Sequence, residues 1–127
     1  HRALQVIDAF DVRPRSTERP IATLSGGNQQ KVVIGRWLGI GRRVLVLEEP
    51  TIGVDVGAKS EIYRLLHDAL SRDLAVVLVS SDFEEVAGLA DRALVFSRGH
   101  VVSEVARADL SVERLTALAS GGSASHA

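Results

Sequence analysis

The run Val44-Leu45-Val46-Leu47 most restricts the fold, because it is continuous, apolar, rich in β-branched residues and stops at Glu48-Glu49-Pro50. A short run of this kind predicts a strand buried on both faces, as in a mostly parallel sheet. Ala75–Val79 repeats the pattern. Between the two, Ile62, Leu65, Leu66, Ala69 and Leu70 recur at spacings of three and four, which predicts an amphipathic helix over residues 58–70.

The rest of the chain completes an α/β pattern. Leu4, Ile7 and Phe10, with Val6 beside them, predict the end of an amphipathic helix over residues 1–11. Residues 12–23 contain Pro14 and Pro20 and show no period, so they read as a loop. Leu24-Ser25-Gly26-Gly27 opens a second helix, with Val32, Val33, Trp37 and Leu38 on its apolar side and Lys31 and Arg36 on its wet side. Ser81-Asp82-Phe83-Glu84-Glu85 predicts a capping box and a short helix to about Ala90. Residues 93–96 and 101–105 flank Arg98-Gly99 as a β-hairpin, residues 110–118 suit a last helix, and residues 120–127 read as a disordered tail.

Composition narrows the class. With 127 residues there is room for one core, and 46% hydrophobic with 24% charged residues is the balance of a globular protein. A net charge of −1, from 15 basic and 16 acidic side chains, provides no field for nucleic acid or an anionic membrane. Without cysteine there are no disulfides, thiolate metal sites or thiol nucleophiles. His1, His67, His100 and His126 lack ligand spacing, so no histidine metal site is expected. No apolar stretch approaches the ~20 residues of a membrane-spanning helix. A chain without methionine that opens His1-Arg2 is expected to be a piece of something longer.

Four motifs carry the chemistry. LSGGNQQK, from Leu24 to Lys31, places two glycines and a serine at a helix start, where unpaired N–H groups and the positive helix end suit an anion. Its plainer reading is an N-cap serine followed by turn glycines. VLVLEEPT, from Val44 to Thr51, delivers Glu48 and Glu49 at the carboxyl end of a strand, the ligand edge of an α/β sheet. One acid there suits a metal ion and the other an attacking water; alternatively both are solvated strand-end acids. Asp55, in Gly53-Val54-Asp55-Val56-Gly57, reads as a helix cap. Ser80-Ser81-Asp82 ends the second strand and also reads as a cap.

In this order the motifs resemble the C-terminal half of the ATPase domain of ABC transporters: signature, Walker B strand, D-loop and switch region. NQQK after the signature, PTIGVDVGAKSEIY and LVSSDFEEV are similar to the second cassette of the tandem ATPase subunits of bacterial ribose, xylose and galactose importers. The resemblance implies an α/β fold, the C-terminal part of a P-loop NTPase, with a mostly parallel sheet and a C-terminal antiparallel hairpin. It divides the chain into a partial ABC ATPase domain at 1–119 and a tail at 120–127. Within the domain, 1–40 would end the helical subdomain with the signature helix, and 41–119 would be the C-terminal part of the catalytic core.

By the same resemblance, Ser25, Gly26 and Gly27 would touch the γ-phosphate of an ATP held mainly by a partner cassette, with Gln29 alongside. Glu49 would orient the attacking water, Asp55 would link the two sites, and Glu48 would take the Walker B place near Mg²⁺. Two positions depart from the general pattern. Glu48 stands where the family has Asp, which moves the carboxylate by roughly 1.5 Å. Ser81 stands where the switch histidine is usual, as it also does in second cassettes of sugar importers.

Nowhere does the chain contain G-x-x-x-x-G-K-[ST], the loop that cradles phosphates, nor the strand before it or the glutamine loop that follows. The chain alone is therefore expected to be inactive. Implied partners are a second cassette (in the same polypeptide or a dimer), transmembrane permease subunits and, indirectly, a periplasmic or extracellular sugar-binding protein. Nucleic acid is not among them, and the implied place is the cytoplasmic face of the plasma membrane. The alternatives are a non-transport ABC ATPase of ribosomes or DNA, which neutral charge and the NQQK and GVDVGAK segments oppose, and a degenerate non-catalytic module.

Overall fold

The computed structural model describes residues 2–121, which form two compact units that divide between Val79 and Ser80. In the first, α1 (Arg2–Ala9), α2 (Gly26–Leu38) and α3 (Val56–Leu70) accompany the strands β1 (Val44–Glu48) and β2 (Ala75–Val79). β1 and β2 are parallel, with Val44 opposite Ala75 and Glu48 opposite Val79. A parallel pair needs a long crossover, and α3, with Ile62, Leu65 and Leu66 buried, provides it. Asp55 starts α3, its Oδ1 accepting the Ala58 N–H at 2.9 Å.

The structure corrects two expectations in this unit. Neither strand is buried on both faces: on one face Leu45 and Leu47 of β1 are buried and Val76 and Leu78 of β2 half-buried, whereas on the other Val44, Val46, Val77 and Val79 are 51–64% exposed. Sequence alternation cannot distinguish a strand covered twice from one covered once when every position is apolar. On α2 the buried residues are Gly27, Lys31, Ile34 and Gly35, while Val33 and Trp37 are exposed. The helix turns its small residues inward because close neighbours demand them: a Cβ on Gly35 would lie 2.8 Å from Val6 and from Phe10.

The second unit comprises α4 (Phe83–Leu89), β3 (Arg92–Ser97), β4 (His100–Ala106) and α5 (Val112–Ala119). β3 and β4 form the expected hairpin around Arg98-Gly99, both of which take positive φ, at 50° and 81°, as a two-residue type I′ loop requires. The register steps from Val95 opposite Ser103 to Phe96 opposite Val101, leaving Val102 as the extra residue of a bulge. Ala93, Val95, Val105, Leu115 and Leu118 form the core, with Phe83 and Val86 packed against it. The tail expected at 120–127 falls outside the described residues from 122 onward.

Candidate functional site

The first unit brings the signature residues and Asp55 together. Ser25, in extended conformation, caps α2: its Oγ accepts the Asn28 N–H at 3.4 Å and the Asn28 side-chain amide at 2.9 Å. Asn28 Oδ1 in turn accepts the Arg13 N–H at 3.0 Å, which ties the preceding loop to the helix start. Gln29 turns its amide back to donate to the Leu24 carbonyl at 2.9 Å, closing the loop on itself. Both Ser25 bonds use its oxygen as acceptor, so the hydroxyl proton remains to be donated.

The two signature glycines differ in surroundings. Gly26 is exposed, and a Cβ there would meet only the Gly53 carbonyl at 3.8 Å. Gly27 is buried, and a Cβ there would lie 2.5 Å from the Cβ of Ala58 and 3.8 Å from Val54. The start of α2 therefore abuts the Gly53-to-Ala58 stretch that carries Asp55. Asp55 caps its own helix, as its plainer reading expected.

Glu48 closes β1 on the exposed face, in line with Val44 and Val46. The chain then turns sharply at Glu49, which has φ of +45°, rarely adopted by residues other than glycine. That turn is held by the Glu49 N–H donating to the Val79 carbonyl at 2.8 Å and by the Ile52 N–H donating to the Glu49 carbonyl at 3.3 Å. Pro50 and Thr51 are buried beneath it. Glu48 and Glu49 thus sit at the strand end where the sequence placed them, on a backbone that bends between them and the next loop.

Ser81 belongs to the second unit. There Ser80 Oγ accepts the Asp82 N–H at 3.0 Å, and Asp82 caps α4 by accepting from Glu84 and Glu85 at 3.0 and 3.2 Å. Arg107 donates to the Ala87 and Ala90 carbonyls at 2.6 and 2.9 Å, closing the other end of α4. Among the described residues no group of three His, Asp or Glu side chains is placed to hold a metal ion. Glu48 offers one carboxylate, which suits an ion held mostly by phosphate oxygens and water.

Sequence reasoning missed Lys31. Its side chain is 6% exposed, paired with Glu61 on α3, and its Nζ donates to the Asp11 carbonyl at 3.3 Å. The available signal was Gly27 and Gly35, four residues to either side on the same helix face.

No family model matches the chain. It is 49% identical over 117 residues to the ribose import ATP-binding protein RbsA of Bacillus licheniformis, covering 92% of this chain and 24% of that protein. To the putative ribose/galactose/methyl galactoside import ATP-binding protein 3 of Agrobacterium fabrum it is 51% identical over 112 residues, covering 88% and 22%. To the arabinose import ATP-binding protein AraG of Pseudomonas syringae pv. syringae it is 49% identical over 113 residues, covering 89% and 22%. The chain spans about a quarter of the length of these relatives. An inward-facing structure of a putative metal-chelate type ABC transporter matches with a TM-score of 0.78 at 27% identity, over 92% of this chain and 47% of that one. A dimeric bacterial ABC transporter cassette matches with 0.72 at 28%, over 84% and 46%. Fold and motif order together make the chain part of an ABC ATPase domain. The sequence relatives it matches are ATP-binding proteins of sugar importers, and the match falls in their C-terminal part.

Proposed function

We propose that the chain is the C-terminal part of the ATP-hydrolysing energy subunit of a bacterial sugar importer, working on ATP with Mg²⁺. The observation that carries this reading is the packing of the Ser25-Gly26-Gly27 helix start against the stretch holding Asp55, in a chain that matches sugar-import ATP-binding proteins over nine-tenths of its length.

Ser25 has an O–H to donate, Gly26 leaves its backbone approachable, and the helix end is positive; these groups suit a γ-phosphate presented by a partner cassette. Glu49 orients the attacking water of a second site, Glu48 stands near its Mg²⁺, and Asp55 links the two sites. Glu48 in place of Asp and Ser81 in place of a chargeable switch side chain weaken that second site, so most turnover belongs to the site that the signature completes. Residues 1–40 end the helical subdomain and residues 41–119 belong to the catalytic core. The open valine face of β1–β2 supports this, because a solvated sheet face would be polar. Among the described residues each sheet has only two strands, so its edges are open to further pairing.

No helix among the described residues is long and apolar enough to cross a membrane. By the same family reading, the chain is held at the cytoplasmic face of the plasma membrane through permease subunits, with a sugar-binding protein on the far side and a second cassette as partner.

The test is ATP hydrolysis by the longer polypeptide that carries this chain, reconstituted with permease in vesicles. Stimulation by sugar-loaded binding protein is expected, with no activity from the 127-residue chain alone. Stimulation by ribosomes or DNA would favour the non-transport reading, and no hydrolysis under any condition would favour a degenerate module.

A further inference from the structure

Lys31 is a charge in a place that packing alone would fill with an apolar side chain. Lys31 and Glu61 are each the sixth residue of their helix, counted from Gly26 and Val56, so their ion pair lies equally far from both helix starts. The same nitrogen holds the carbonyl of Asp11, just beyond α1. One ammonium therefore ties three segments. Gly27 and Gly35 bring α2 close to α3 and α1, which fixes distance but leaves sliding and rotation about the helix axis. A directional pair removes those freedoms. A lysine buried against a half-exposed glutamate adds little stability over an apolar side chain of its size, and the best attested use of such a buried charge is to fix register.

We propose that Lys31 is a positioning residue for ATP hydrolysis: bonded to Glu61 and the Asp11 carbonyl, its ammonium holds Ser25 and Gly26 in register with Asp55. This rests on the functional reading above. Lys31 does not touch nucleotide; it sets where the groups that do are presented. Loss of register acts on the closed state that completes the site and leaves initial ATP binding by the partner cassette alone.

In the longer polypeptide, Lys31→Met keeps the length and apolar stem and removes the charge. The expected result is a fall in kcat of about tenfold per folded molecule with KM for ATP changed less than about twofold, and recovery of most of kcat in Lys31→Arg. Glu61→Gln, at a half-exposed position, is expected to fold whatever Lys31→Met does and to lower kcat about threefold; combining it with Lys31→Met adds nothing further. An unchanged kcat in Glu61→Gln, or losses that multiply in the double variant, would overturn the proposal. If the unsubstituted polypeptide hydrolyses no ATP, the functional reading fails instead. The tie is then read from hydrogen exchange at the cap-bonded amides of Asn28 and Ala58: joint acceleration in Glu61→Gln supports it, and unchanged exchange overturns it.

Discussion

Gly27 and Ala58 are so close that a methyl group on Gly27 would put its carbon 2.5 Å from the Ala58 Cβ. The second signature glycine thus has a structural duty, the contact of α2 with α3, whereas Gly26 faces open space but for the Gly53 carbonyl at 3.8 Å. Gly27→Ala is expected to lose about 1–3 kcal/mol through overpacking, read as a lower urea midpoint. Gly26→Ala is expected to keep or slightly raise stability, since alanine favours a helix, and yet to abolish ATP hydrolysis by the longer polypeptide because its Cβ stands in the path of a phosphate. Equal stability losses in the two variants would contradict this division.

Asp55 can be separated into a cap and a link between sites. Asp55→Asn keeps an oxygen for the Ala58 N–H and is expected to retain stability, while Asp55→Ala loses about 1 kcal/mol. If Asp55 also links the two sites, Asp55→Asn lowers ATP turnover despite a native melting curve. Native turnover in Asp55→Asn would reduce Asp55 to a cap.

Arg107 is expected to hold the end of α4. Removing its donors in Arg107→Met frees the Ala87 and Ala90 carbonyls and should speed amide exchange in α4 with little change in β3 and β4. Uniform acceleration throughout the second unit would show a general loss of stability instead.

Asp8 and Arg15 give a pH signature. The hydrogen bond from Arg15, at 2.7 Å, holds the Asp8 carboxyl below its usual range, with slight desolvation opposing and the Arg15 charge assisting. A depressed carboxyl stabilises the fold above its unfolded pKa, and that contribution disappears as pH falls through the lower folded value. Both side chains are exposed, so the effect on stability is small. A carbon-13 carboxyl titration should show Asp8 titrating low, and Arg15→Gln should return it to the usual range. A normal value in both would mean that the pair does not form.

Local chemistry made much of the fold legible in the sequence. β2 has its expected bounds, and the Arg98-Gly99 turn and the Asp82 and Asp55 caps depend on residues adjacent in sequence. Tertiary choices were not legible. Apolar periodicity put Lys31 in water and Val33 and Trp37 inside, but α2 packs through glycines, and close approach selects small residues that carry no hydrophobic signal. The open valine face of β1–β2 is likewise a property of what lies over a strand. At the candidate site, the places of Glu48 and Glu49 at the strand end were legible from the run that precedes them. The positive φ of Glu49 was not, since nothing in a glutamate announces it.

The proposed division between a working site completed by the signature and a weakened one carrying Glu48 and Glu49 is tested most directly by two variants of the longer polypeptide. ATP hydrolysis should be nearly abolished in Ser25→Arg, which blocks the signature, and should fall much less in Glu49→Gln, which removes the water-orienting carboxylate of the weaker site. Equal losses in the two variants would contradict it.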